Sequence, residues 1–532
     1  MISTNYSSTN FSGTTDDTNS KVSDLQKQVD ILHYNFKVEL DTKNKLIKCE
    51  NEITARPLSF NINEIELDLY DNLEISEAKI VGSQSKYFRK NNKIFIRSNQ
   101  YLPDTFRVFV KYKGKPKRAG FDGFVFGEVN NSKVVYSISE PTFAPTWFVC
   151  DDDPSDKAFL DIEVINDSQF VSVSNGILKS VNSFSNQKSY HYKTVYPIST
   201  YLIAIYSAPY INFKDTYNGI SGRDTMSIQY YALPEHLENA KIDFAEHKEM
   251  LMVFSKMFGE YPFIKEKYGV AEFLWNFGAM ENQTITGIGY TFVSGRNFFT
   301  DIYVHELAHQ WWGNAVTLKT WDDIWLNEGF ASYSEALYAE AKFGKEALIS
   351  KMNSKFSEHF SGKLYAPNNL FGQTVYDKGA WVLHMLRYEI GDSSFFKSLR
   401  TYYDTFKYSN ASVSDFKKIC ETVSGEHLDK FFDQWIYNGD EIIKCNFSYF
   451  IRAENNKTYC DLRIDQIQES YSEFHFPIEL LLKYNDGSLE LKKIKVDTRN
   501  QEFTFEIKQP FEEFIIDPDN HLLALFNKVS FN

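Results

Sequence analysis

Cysteine is scarce in this chain: five residues in 532, namely Cys49, Cys150, Cys420, Cys445 and Cys460. None is paired at C-x-x-C spacing, and the count is odd. A disulfide framework and a thiolate metal site are both excluded as organising principles. Cys150 reads as a buried free thiol. Long apolar runs are absent too. No segment holds the ~20 consecutive apolar residues of a membrane helix. The opening residues MISTNYSSTNFSGTTDDTNSK have neither a basic stretch nor an apolar one, so they do not read as a signal peptide. They read as a disordered tail over 1–29, and the expected location is cytoplasmic. Basic residues are the minority, 57 Lys and Arg against 71 Asp and Glu, for a net charge of −14. That balance argues against a nucleic-acid partner or an anionic membrane surface. It suits a cationic ligand, such as a peptide with a free α-amine. Internal repeats are absent.

What is present is a long globular chain, 43% hydrophobic and 24% charged. It is too long for one core, so two to four domains are expected. The first part alternates with period two. Tyr34, Phe36, Val38 and Leu40 face one way, as do Phe106, Val108, Val110 and Tyr112, and again Leu160, Ile162 and Val164. Such alternation buries one face of a strand, and it predicts an antiparallel β domain over 30–220. From about Leu233 the apolar spacing becomes three and four. A mainly helical domain is expected over 221–440. Strands then return. PIELLLKY and SLELKKIKV flank Asn485-Asp486-Gly487, a hairpin signal. A β-sandwich is expected over 441–532. The fold class is multidomain α+β.

The central motif is His305-Glu306-Leu307-Ala308-His309. Residues i and i+4 share a helix face, so both imidazoles can reach one metal. Glu306 can then reach a water on that metal. Zinc suits two His and a carboxylate with one position open. Glu328, 19 residues after His309 in WLNEGFASYSEAL, is placed to be the third ligand from a neighbouring helix. Glu335, seven residues further, can take the second nitrogen of a ligand histidine. Only 11 residues are His, so two at this spacing around a Glu are rarely accidental. Zinc lowers the pKa of a bound water towards ~7, and Glu306 can act as general base. Spacing alone therefore predicts a zinc peptide hydrolase and leaves endo- against exo-cleavage open.

Gly278-Ala279-Met280-Glu281-Asn282 stands 23 residues before the histidine motif. With GAMEN, then HELAHQWWGN, then DDIWLNEGFA, the chain resembles the zinc aminopeptidases of the aminopeptidase N type. SEPTFAPTWFVCDDDPSDKA and VYDKGAWVL resemble two further segments of that family, and the likeness runs from about Asp30 to the end. The resemblance implies a thermolysin-like catalytic domain with one zinc ion per chain on His305, His309 and Glu328. It implies Tyr376 as donor to the oxyanion. It implies Glu281 and Glu140 as anchors of the substrate's α-ammonium, one residue from the metal, and Gly278, Ala279 and Met280 as backbone partners of an extended peptide. Ile138 replaces the family's usual Gln near the pocket for the first residue, which should favour apolar side chains. The chain also stops after the β-sandwich, where many members continue into a large helical domain; an open site follows, or one that another subunit closes. Three rivals stand beside this reading. An endopeptidase needs neither Glu281 nor Glu140. An epoxide-opening relative of leukotriene hydrolase is disfavoured by Ala279. A dead scaffold is disfavoured by the complete set His305, Glu306, His309, Glu328 and Tyr376.

Overall fold

The computed structural model describes residues 22–130 and 132–530. The tail expected over 1–29 lies outside them up to residue 21. From Ser23 the chain departs from that expectation, because Gln26 is drawn into the β domain. Its Nε2 donates to Asp68 Oδ2 (2.7 Å) and Asp151 Oδ1 (3.0 Å), while Lys93 Nζ donates to its Oε1 (2.7 Å). A buried amide with both ends satisfied holds its segment in place.

The described residues form two compact units. The first runs to Lys248 and takes in Phe263–Thr300; the second comprises Glu249–Pro262 and resumes at Asp301.

The first unit is built on sheets. A seven-stranded sheet has the order Ile177–Phe184, Gln187–Lys193, Phe159–Asp167, Val29–Asp41, Leu46–Pro57, Phe106–Gly114, Glu74–Ile80. Its pairs are antiparallel except one: Val29–Asp41 runs parallel to Phe159–Asp167, with Phe36 opposite Ile162. The alternating residues are buried as the period requires, Tyr34, Phe36, Val38 and Leu40 on one strand and Phe106, Val108, Val110 and Tyr112 on another. Trp147 and Phe148 fill the core against Phe36, at ring separations of 5.7 and 5.5 Å. A second sheet of four strands includes Ser132–Ile138, and a third has three. A five-stranded sheet follows in the order Ile211–Asn218, Thr225–Ala232, Tyr268–Phe273, Thr286–Gly289, Ala279–Met280. Its last strand is an edge.

The second unit carries the helices and the C-terminal sheets. The helices Trp325–Phe343 and Gly379–Ile390 pack together, with Lys345–Ser354, Asp392–Phe406 and Val413–Ser424 around them. Two sheets of four and three strands follow, and the strands Phe476–Tyr484 and Leu489–Val496 form the hairpin that Asn485-Asp486-Gly487 signalled. Gly487 has φ +79°, a conformation open to glycine at little cost. The five cysteines are free and buried.

Candidate metal centre

The helix Thr300–Ala308 brings His305 and Glu306 to one end of the second unit, and the chain continues through a last turn to His309. Two tryptophans lock this end. Trp311 Nε1 donates to Gly259 O (2.9 Å), and the Trp312 ring packs at 5.0 Å from Phe258 and 5.3 Å from Phe330. Phe330 belongs to the helix Trp325–Phe343, so this packing sets the two helices side by side. Glu328 falls in the first turn of that helix and Glu335 two turns on.

Each imidazole has its Nδ1 engaged. His305 Nδ1 lies 3.0 Å from Glu335 Oε1, and His309 Nδ1 lies 3.0 Å from the carbonyl of Trp312. Both partners are acceptors, so each Nδ1 is the nitrogen that keeps its proton when Nε2 serves as a metal ligand. Those Nε2 atoms converge on one oxygen: Glu328 Oε2 is 3.2 Å from His305 and 3.3 Å from His309. Tetrahedral donors at ~2.0–2.1 Å from zinc lie about 3.3–3.4 Å apart. The three donors of His305, His309 and Glu328 lie within 4.8 Å of one another. The set therefore fits zinc in both chemistry and spacing.

The electrostatics agree. Burial opposes ionisation of Glu328, yet the two imidazoles hold its carboxyl well below the usual range. Burial likewise opposes ionisation of Glu335, but Lys355 and His305 bring it down to about 2. For His305 burial favours the neutral ring, and the hydrogen bonds to Glu328 and Glu335 overcome that and push it up to about 10. Glu335 has Lys355 as its cation, so Glu328 is the buried carboxylate that calls for one at this spot.

Tyr376 sits in a π-helical turn, Thr374–Lys378, that leads into the helix Gly379–Ile390. Its ring lies 5.8 Å from the His305 ring, 15° from parallel. Wider turns of this kind are rare and are frequently found at functional sites. Lys378 anchors the turn from its far end, donating to Gly439 O (2.8 Å) and Gly362 O (3.1 Å). Glu306 is buried.

Glu140 and Glu281 belong to the first unit, and the structure brings them together there. Both are buried, with carboxylate oxygens within 4.8 Å of each other. Like charges so close favour a cation between them. Glu281 follows the edge strand Ala279–Met280, which pairs antiparallel with Thr286–Gly289. Asn282 fixes the turn beyond it: Tyr206 OH donates to its Oδ1 (2.6 Å), and its Nδ2 donates to Leu202 O (3.1 Å). Gly289 lets the Trp275–Gly278 segment close on the strand, since a Cβ there would lie 2.0 Å from Trp275 O. Ile138 ends the strand Ser132–Ile138 and is fully buried.

Sequence reasoning missed Lys355, Asp377 and Tyr206. Asp377 lay inside a segment already singled out; the other two carry no local signal.

The comparisons with known proteins meet this geometry. The model of the peptidase M1 N-terminal domain matches residues 31–202, and that of the peptidase family M1 domain matches residues 242–435. Together they take in more than half of the chain. The chain belongs to peptidase family M1. Among curated relatives, probable aminopeptidase 2 of Sulfurisphaera tokodaii is 27% identical over 433 residues, which are 77% of this chain and 53% of that protein. Glutamyl aminopeptidase of Rattus norvegicus is 28% identical over 449 residues, 75% of this chain and 46% of that one. The chain thus spans about half the length of these relatives. The M1 zinc metallopeptidase of Deinococcus radiodurans is a solved structure that superposes with a TM-score of 0.68 at 25% identity, covering 77% of this chain and 94% of its own. Aminopeptidase A of Legionella pneumophila, solved with aspartic acid, shares the fold at TM-score 0.81 and 18% identity, over 94% of this chain and 60% of its own. Among the described residues no helix is long and apolar enough to cross a membrane.

Proposed function

We propose that this chain is a zinc aminopeptidase, releasing the first residue of peptides that carry a free α-amine. The observation that carries the proposal is the convergence of His305 Nε2, His309 Nε2 and Glu328 Oε2 beside Glu306. One zinc ion per chain is the expected occupant of that triad, where it supplies Lewis acidity: it eases loss of a proton from water and polarises a carbonyl.

The chain's own residues do the rest. Glu306 takes the proton of the attacking water and passes it to the leaving amine. Tyr376, whose phenol is a hydrogen-bond donor, donates to the oxygen that gains charge. Glu335 holds the His305 ring in the tautomer that leaves Nε2 open. Glu140 and Glu281 bind the α-ammonium, as two carboxylates sharing one cation. The edge strand Ala279–Met280, with Gly278 before it, offers backbone groups to an extended peptide. Ile138 biases the first-residue pocket towards apolar side chains. Peptides and not nucleic acids or membranes are the expected partners, in keeping with the net charge of −14.

The relatives named for aminopeptidase activity support this reading, as does the Deinococcus M1 metallopeptidase solved with a Tyr-Ser-Ala substrate. The test is substitution of the anchors. Glu281→Gln should raise KM for aminoacyl amides and lower kcat/KM by about 10²-fold, the worth of a charge-assisted pair of roughly 3 kcal/mol. Unchanged KM in Glu281→Gln and Glu140→Gln would remove the amine anchor and leave an endopeptidase.

A further inference from the structure

One buried cation touches both the metal donors' support and the Tyr376 turn. Lys355 follows the helix Lys345–Ser354, and its side chain is 11% exposed. Its Nζ lies 2.9 Å from Glu335 Oε2 and 3.5 Å from Asp377 Oδ1. The other oxygen of Glu335 is the one bonded to His305 Nδ1, at 3.0 Å. The other oxygen of Asp377 accepts from Gln373 Nε2 at 3.1 Å. Asp377 is the residue next to Tyr376. A continuous chain of polar contacts therefore runs from His305 through Glu335 and Lys355 to Asp377.

A buried ion group of this kind is a weak source of stability, because desolvation offsets most of its attraction. Its effect here is geometric. Glu335 must present one oxygen squarely to His305, and a carboxylate with only one partner is free to turn. Lys355 takes the second oxygen and fixes the plane. The π-helical turn Thr374–Lys378 is a single wide turn ahead of the helix Gly379–Ile390, and side chains hold it from outside. Lys378 holds it through two carbonyls, and Lys355 holds it through Asp377.

We infer that Lys355 is a positioning residue: one ammonium locks Glu335 against the ligand His305 and fixes the turn that carries Tyr376. The inference rests on the zinc aminopeptidase reading above.

The experiment uses the zinc-loaded chain and its Lys355→Met, Lys355→Arg, Glu335→Gln and Asp377→Asn variants, with the Lys355→Met/Glu335→Gln double variant. Zinc affinity is read by chelator competition, and kcat and KM on leucyl amide. Lys355→Met should weaken zinc about tenfold, the low end for loss of an outer partner of a ligand histidine. It should lower kcat about tenfold or more and leave KM within about threefold, as loss of orientation does. Lys355→Arg should recover most of both. The double variant should bind zinc about as well as Glu335→Gln alone, since Lys355 acts through Glu335. Asp377→Asn should lower kcat with zinc affinity intact, and this variant carries the test if Lys355→Met does not fold. A folded Lys355→Met with wild-type zinc affinity and kcat overturns the inference. So does a double variant in which the two zinc losses multiply, or an Asp377→Asn of unchanged kcat. A wild-type chain that takes up no zinc overturns the aminopeptidase reading and this inference together, whereas an active wild type with an indifferent Lys355→Met overturns this inference alone.

Discussion

Gly329 and Gly379 meet backbone to backbone where the helices Trp325–Phe343 and Gly379–Ile390 cross. A Cβ on Gly379 would lie 2.9 Å from the Gly329 Cα, and one on Gly329 would lie 3.0 Å from the Gly379 Cα. Gly329 follows Glu328 in sequence, and Gly379 closes the turn that carries Tyr376. The absence of two methyl groups sets how near Glu328 stands to that turn. Gly379→Ala tests this. Alanine gains about 1 kcal/mol of helix propensity, while overpacking costs about 1–3 kcal/mol. The clash is with backbone, which cannot swing aside as a side chain does, so the cost lies at the high end and stability in urea should fall by about 2 kcal/mol. Activity should respond more: a shift of a few tenths of an ångström is expected to cost about tenfold in kcat, against ~10² for a full ångström.

Glu306 is buried one position from His305 without belonging to the donor triad. Glu306→Gln should therefore keep zinc, measured as one metal per chain by atomic absorption, and lose about 10²–10⁴-fold in kcat, the range for a general base. His309→Ala or Glu328→Ala should lose the metal itself. A Glu306→Gln chain that bound no zinc would mean that this carboxylate is a ligand.

The helix motif was legible because its chemistry is local. His305 and His309 need only helical spacing, and Glu328 only one return of the chain. The period-two strands were legible for the same reason. What escaped was tertiary. Nothing near Val29–Asp41 announces a parallel partner more than a hundred residues away. Nothing in a Ser- and Thr-rich opening announces that Gln26 will be buried between Asp68 and Asp151. Lys355 stands beyond a helix end with no motif around it, and its partners come from two other elements.

Ile138→Gln is the substitution that tests first-residue preference. The strand end that bears Ile138 pairs with Gly123 and is fully buried. Placing an amide there should lower kcat/KM for leucyl and methionyl amides by about tenfold relative to alanyl and arginyl amides, the discrimination of one or two methylenes. An unchanged ranking of the four substrates would remove Ile138 from the pocket.

His247 gives the fold of the first unit a pH dependence. It is fully buried among Tyr230, Phe244 and Tyr268, at ring separations of 5.6–5.8 Å. Burial pushes its pKa down to about 4, against a partial rise from the hydrogen bond to Phe244 O. The folded value lies below the unfolded value of ~6.5. The unfolded chain therefore takes up the proton first as pH falls. Stability is complete above about pH 6.5 and declines by about 1.4 kcal/mol per pH unit from there towards pH 4. His247→Asn, which keeps a donor for Phe244 O, should show a slope shallower by that amount in urea melts over this window. Equal slopes would mean that His247 is protonated in the fold.

Whether the chain is a zinc aminopeptidase is decided by hydrolysis of fluorogenic leucyl and alanyl amides, free and N-acetylated, with and without a zinc chelator. Cleavage of the free-amine substrates alone is expected, abolished by the chelator and restored by added zinc. Equal cleavage of the acetylated substrates, or cleavage that survives the chelator, would contradict the zinc aminopeptidase reading.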